Sequence, residues 1–263
     1  MVAGKNYEEL LAPYSENLEV EEYSKILSEE EKKGFMEHYS PDNPSVDFEK
    51  LYEEKGKDWN FNAWRKEDGV WKEFSTYNPN SKWDCYEVGG RWSDYVEKIG
   101  LRDKKPIKAN INFESFLKDV EERASARWRM ATDCFNRNRG DQPFRTWKEV
   151  LAIPGIDKAE KRDMYHSQSE VKAFLALTVK DFEFDLIDEY LIDEEDYVAE
   201  QRKKAVIPFA FLSEKTGWVE KGSMGWFGIS SEDKETSDWY SEFMNFFNSL
   251  PDDEEIHYID CHI

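Results

Sequence analysis

The sequence has three cysteines, Cys85, Cys134 and Cys261, in 263 residues, and no two of them stand at metal-ligand or redox spacing. This excludes a disulfide-stapled scaffold or a cysteine-built zinc module and points to a reducing compartment. No CxxC, HExxH, GxSxG or GxxxxGKS/T occurs, so the chain lacks the local signatures of dithiol redox enzymes, zinc proteases, α/β-hydrolases and P-loop NTPases. No apolar run approaches the ~18 residues of a membrane span. The opening stretch MVAGKNYEELLAPY has neither a basic segment nor a long apolar one. The expectation is a soluble, cytoplasmic protein.

Positive charge is also scarce. The chain has 36 Lys and Arg against 57 Asp and Glu, a formal net charge of -21. Duplex binding is driven by cations that replace counterions at phosphates, so direct DNA binding is not expected. The same charge can imitate a nucleic acid toward a basic partner, or it can simply keep the chain soluble. A hydrophobic fraction of 39% and an aromatic fraction of 15% exclude disorder. The length suits one large domain or two small ones.

The charge is unevenly spread. Residues 1–60 form an acidic segment in which EELL, EVEEY and SEEEKKGF resemble short solvated helices. Ser28 followed by Glu31 fits a capping box, and Pro41 to Pro44 interrupt any helix. GVWKEFSTY (69–77) has strand composition, NPNS supplies a turn, and WDCYEV (83–88) is predicted as the returning strand, ending at Gly89 and Gly90. The spacing of Phe113, Phe116, Leu117 and Val120 predicts a helix over 113–135. AVIPFAFLS (205–213) is predicted as a strand despite Pro208, EKTGW as a turn, and WVEKGSMGWFGIS as two further extended pieces. Trp239, Phe243, Phe246 and Phe247 predict a helix over 236–250, and EIHYIDCHI alternates like a terminal strand. Strands and helices in this order imply an α+β fold, with an antiparallel sheet covered by helices. The segment 61–263 is then a core domain with a helical insertion at about 98–204.

Between Lys98 and Lys148 the local balance reverses, with thirteen Lys or Arg against seven Asp or Glu. Arg127 and Arg129 lie in this region and could hold a phosphate or carboxylate. They could equally pair with DFEFDLIDEYLIDEEDYVAE (181–200), which carries ten acids and no Lys or Arg.

Candidate chemistry is sparse. Asp260, Cys261 and His262 are neighbours, but adjacent strand residues point to opposite faces, which argues against a Cys–His pair. His257 and His262 also face opposite ways, so no metal site is expected, and no cofactor is implied. A binding surface is better supported. Trp83, Tyr86 and Trp92 offer stacking planes, Lys82 and Arg91 offer cations, and Gly89–Gly90 lets a backbone approach closely. The competing reading places the two tryptophans in the core and pairs Arg91 with Asp84 or Asp94.

NPNSKWDCYEVGGRW (78–92) resembles an NPxSKWDWYxxGGRW motif of a phage and prophage protein family, with Cys85 standing where that motif has Trp. WVEKGSMGWFG, the following helix, LPDD and the terminal YIDCHI resemble the family's second block. The motif specifies no activity. The resemblance implies a phage setting, where small acidic proteins act against host defence by sequestering a nucleotide signal or blocking a defence protein.

Two expectations follow. The first is a non-catalytic protein that binds a small anionic, nucleotide-like ligand through Lys82, Trp83, Tyr86, Arg91, Trp92, Arg127 and Arg129. On this reading Arg91→Ala weakens binding and barely changes the melting temperature. The second is an acidic inhibitor that mimics nucleic acid and binds a basic host protein through 1–60 or 181–200.

Overall fold

The computed structural model describes residues 1–43, 46–56, 63–102, 104–177, 185–223, 231 and 233–262. The fold is α+β. In chain order the elements begin with β1 (Val2–Ala3), α1 (Tyr7–Leu11), β2 (Tyr23–Ile26), α2 (Glu29–Tyr39), α3 (Phe48–Lys55), β3 (Ala63–Glu67), β4 (Val70–Ser75) and β5 (Cys85–Val88). There follow α4 (Ser93–Lys98), α5 (Phe113–Arg137), α6 (Trp147–Leu151), α7 (Lys158–Ser167), α8 (Ser169–Leu175) and α9 (Glu194–Val206). The chain closes with β6 (Ala210–Ser213), β7 (Gly217–Glu220), α10 (Thr236–Ser249), β8 (Ile256–His257) and β9 (Ile259–His262). Among the described residues no helix is long and apolar enough to cross a membrane.

Two compact units result. The larger is formed by the described residues within Met1–Tyr7, Val88–Gly225 and Ile229–Asp260, and the smaller by those within Glu8–Glu87 and Cys261–Ile263.

In the larger unit, β1 lies inside a sheet of order β7-β6-β1-β8, parallel to β6 and antiparallel to β8. The first residues are therefore structural: Met1, Val2 and Ala3 are buried, and the terminal ammonium of Met1 donates to the Ala210 carbonyl at 2.8 Å. The apolar stripe of α10 faces the same core, with Phe211 stacked 5.3 Å from Trp239 and 4.2 Å from Phe246. Each such buried aromatic contributes about 1.5–3 kcal/mol. The helix expected over 113–135 runs from Phe113 to Arg137. Its Phe116 and Val120 join the core of α10, whereas Ala124, Ala131 and Phe135 join a second cluster with Tyr165, Phe174 and Tyr190.

The strand expected over 205–213 is shorter. Helix α9 continues to Val206, Ile207 is extended ahead of Pro208, and the strand begins only at Ala210. A residue before proline is pushed out of helical conformation, so Pro208 ends the helix where the sequence reading had it weaken a strand. The terminal strand is also interrupted. Tyr258 separates β8, which pairs with β1, from β9, which pairs with β5. Of the pieces expected beyond β7, residues 224–230 lie outside the described residues.

The smaller unit is built on a sheet of order β2-β4-β3. Its hairpin differs from the one expected at NPNS. Asp68 and Gly69, with φ of 51° and 80°, close β3 onto β4 and set Glu67 opposite Val70. Asp-Gly suits this two-residue turn because both positions need left-handed φ. WDCYEV is therefore not the return strand of 69–77. EVEEY is not helical either; it leads into β2, whose partner is β4. The core face gathers Leu27, Phe35, Leu51 and Trp64, with Tyr52 stacked on Trp64 at 5.7 Å. Ser28 and Glu31 form the expected capping box at the start of α2, a contact worth about 1 kcal/mol.

Candidate functional site

The motif residues divide between the units, so each part has its own surroundings. In the smaller unit, Asn78 is buried and its amide donates to the carbonyls of Pro13 (2.9 Å) and Ser15 (2.8 Å). Its side-chain oxygen accepts from Asn80 N at 3.0 Å. The Lys82 backbone donates to Tyr14 O, Glu16 N–H donates to Trp83 O, and the Trp83 indole donates to Leu11 O at 3.2 Å. NPNSKW thus holds residues 11–16 in place. In a strand over 83–88, as the sequence predicts, Trp83 and Tyr86 would face opposite ways, but β5 starts only at Cys85, and the two rings meet edge-on at 5.0 Å.

In the larger unit, GGRW forms a tight turn with φ of +78° at Gly89 and +46° at Gly90. Arg91 caps it with a forked ion pair to Asp260, not to Asp84 or Asp94. Nη2 donates to Oδ1 at 2.6 Å, Nε lies 2.9 Å from Oδ2, and the Arg91 backbone N–H donates to Oδ2 at 3.0 Å. The Asp260 side chain is 3% exposed and that of Arg91 66% exposed. The hydrogen bonds to Asp260 raise the Arg91 pKa above the ordinary arginine range. A Cβ at Gly90 would stand 2.6 Å from that of Asp260, which only glycine avoids. Asp260, weighed above for catalysis, is thus the counterion that ties the two motif blocks together. Trp92 remains 48% exposed, with the guanidinium 5.8 Å from its ring.

Arg127 and Arg129 are engaged as well. Arg127 bonds Asp185, which also accepts from the hydroxyl of buried Tyr190, and Arg129 pairs with Glu194 at 2.8 Å. Burial and Asp185 push the Tyr190 hydroxyl pKa well upward. Arg129, but not Arg127, lines an open groove of about 910 Å³, together with Trp128, Asn136, Arg139 and Asp196. The Trp128 ring is fixed by its donation to Ile192 O at 2.9 Å.

Sequence reasoning missed a second groove, in the smaller unit. It measures about 510 Å³ and is lined by Glu16, Leu18, Glu19, Glu22, Phe74 and Tyr77 among others. Leu18 is 42% exposed at its rim, and Arg65 lies 3.8 Å above the Phe74 ring while pairing with Glu22. The reading of EVEEY as a short solvated helix concealed this arrangement.

Among the described residues no three His, Cys, Asp or Glu side chains are grouped to hold a metal ion. None of the three cysteines is in a disulfide. His257 is half-buried beside the Tyr7 ring (4.6 Å), with Nε2 3.9 Å from Glu255, and this partial burial lowers its pKa below the ordinary 6.5 despite that carboxylate. The unfolded chain therefore binds this proton more readily than the native one. The expected result is full stability above pH ~6.5 and declining stability as the pH falls through that value. Urea unfolding at pH 8 and pH 5.5 checks this; His257→Phe should remove part of the difference, and an unchanged difference would refute the assignment.

Comparison with known proteins gives no match: no family model, no curated protein and no solved structure is significantly similar to this chain.

Proposed function

We propose that the protein is a non-catalytic binding protein whose smaller, acidic unit engages a basic protein partner in the manner of a nucleic-acid mimic. Which charges are already spent supports this reading. Arg91, Arg127 and Arg129, the cations expected to receive an anion, each hold an internal carboxylate. In the acidic run, Asp185 and Asp188 are likewise consumed, Asp188 by the Tyr165 hydroxyl at 2.7 Å and the Trp147 backbone at 2.5 Å. Residues 8–31 carry nine Glu and one Lys. Of these, Glu16, Glu19, Glu21 and Glu30 make no ion pair among the described residues. Unpaired surface carboxylates cost no internal bond when a partner's Lys or Arg reaches them, and their summed field speeds encounter with a positive surface. The motif's resemblance to phage proteins makes a host defence protein the natural partner.

Capture from a bacterial lysate with quantitative mass spectrometry tests this, using the wild type beside a Glu16→Gln, Glu19→Gln, Glu21→Gln, Glu30→Gln variant. The expected outcome is a set of basic proteins retained at low salt, released at high salt and lost with the variant. Retention indifferent to both salt and neutralisation would refute it.

The groove beside α5 favours a second reading, a small anionic ligand stacked on Trp128 and held by Arg139, whose guanidinium lies 5.1 Å from the Phe135 ring. Calorimetry with ADP as probe separates the two. Heat that disappears in Arg139→Ala would favour the groove, and no heat would leave the acidic unit as the binding surface.

A further inference from the structure

We propose that the open edge of β2 accepts an extended Lys- or Arg-bearing segment of the partner as a fourth strand, a mode of contact that rests on the basic-partner reading above. β2 lies at one end of the order β2-β4-β3, so among the described residues one of its two sides is bonded. The phase of that bonding is known. Leu27 N–H donates to Trp71 O at 3.0 Å, and the register sets Lys25 opposite Glu73 and Tyr23 opposite Ser75. Residues 23, 25 and 27 thus direct their backbone groups to β4, and Ser24 and Ile26 direct N–H and C=O outward. Those outward groups form a template for another strand.

The edge is not blunted in the usual ways. Edge strands are commonly protected by proline, a bulge or an outward lysine. Here the one lysine, Lys25, turns to the core face and is held by Glu31 (2.9 Å) and Glu73 (2.7 Å). Ile26, a β-branched apolar residue, is left 68% exposed on the outer face. Charge selects the occupant. Glu21 and Glu22 immediately precede β2, and the groove of Glu16, Glu19 and Glu22 opens beside Phe74 and Ser75, the residues opposite Ser24 and Tyr23. Edge-to-edge pairing of two copies would bring these carboxylates near their own kind, whereas a strand that presents Lys or Arg on the face of Ile26 would lay their stems along it and send ammonium or guanidinium groups toward the glutamates and the Phe74 ring, which is on that same face because Phe74 stands opposite Ser24. β-Augmentation of this type takes affinity from main-chain bonds and specificity from alternate side chains.

The test uses the full chain and, as probe, a synthetic eight-residue peptide of alternating Val and Lys, beside the same peptide N-methylated at every second residue. Fluorescence anisotropy is expected to show at least tenfold weaker binding of the methylated peptide, and hydrogen exchange to show slowed Ser24 and Ile26 amides only with the unmodified one. Ile26→Pro, which removes an outward N–H and leaves the β4 ladder intact, should reproduce the loss. Equal binding of both peptides, still abolished by the four Glu→Gln changes, would overturn the edge proposal and leave the basic-partner reading standing. Binding of both peptides that survives those changes would overturn the two together. A dimer by light scattering that Ile26→Pro dissociates would assign the edge to a second copy and also overturn the proposal.

Discussion

Arg91→Ala is expected to destabilise the larger unit by about 2–3 kcal/mol in chemical denaturation, reversing the expectation drawn from sequence that its stability would hardly change. Breaking a buried ion pair by removing one partner costs about 3–5 kcal/mol, because the other charge stays desolvated. Asp260 meets that condition at 3% side-chain exposure. The Arg91 side chain is largely solvated and the Arg91 backbone N–H still bonds Oδ2 at 3.0 Å, which moves the figure to the lower end. Gly90→Ala should act in the same direction by a different route. Its φ of +46° disfavours any Cβ, and the new methyl would press on Asp260 itself. Native-like stability in both variants would show that the turn is not held by this pair and would return Arg91 to the ligand-binding candidates.

Asp185→Asn carries the second large effect. The substitution keeps the side chain's shape and removes the charge that bonds Arg127 and receives the Tyr190 hydroxyl, within a cluster where Tyr190 is fully buried. A half-buried guanidinium deprived of its carboxylate costs about 2–4 kcal/mol. Neutralising Glu16, Glu19, Glu21 and Glu30 should by contrast leave stability within about 0.5 kcal/mol per site, because these side chains release no internal bond. Urea unfolding of the two variants side by side sorts the acids into those that hold the fold and those free for a partner. Equal, small effects would mean that the 185–196 stretch is as available as the N-terminal acids, and would weaken the choice of the smaller unit.

How far the sequence could be read depended on how local each signal was. The helices at 113–137 and 236–249 and the Ser28–Glu31 capping box were legible because i, i+3 and i, i+4 contacts lie within a turn of chain. The Asp68-Gly69 hairpin was equally local and was overlooked beside the more conspicuous NPNS. That turn's role was not legible: Asn78 looks like an ordinary turn residue until its partners, Pro13 and Ser15, are known to lie more than sixty positions away. The candidate binding residues met the same limit. Their types were right for stacking and anion contact, but each guanidinium had a choice of many carboxylates in a chain with 57 of them.

By itself the sequence determined the sign and the crowding of charge, the amphipathic helices and the α+β class, all properties of composition or of contacts a few residues apart. Only the tertiary structure decided which charges cancel. Arg91 meets Asp260 across 169 positions and Arg127 meets Asp185 across 58, while Glu16, Glu19, Glu21 and Glu30 make no ion pair among the described residues. The physical reason is that ion pairing depends on distance in space and on desolvation, and neither is encoded by proximity along the chain.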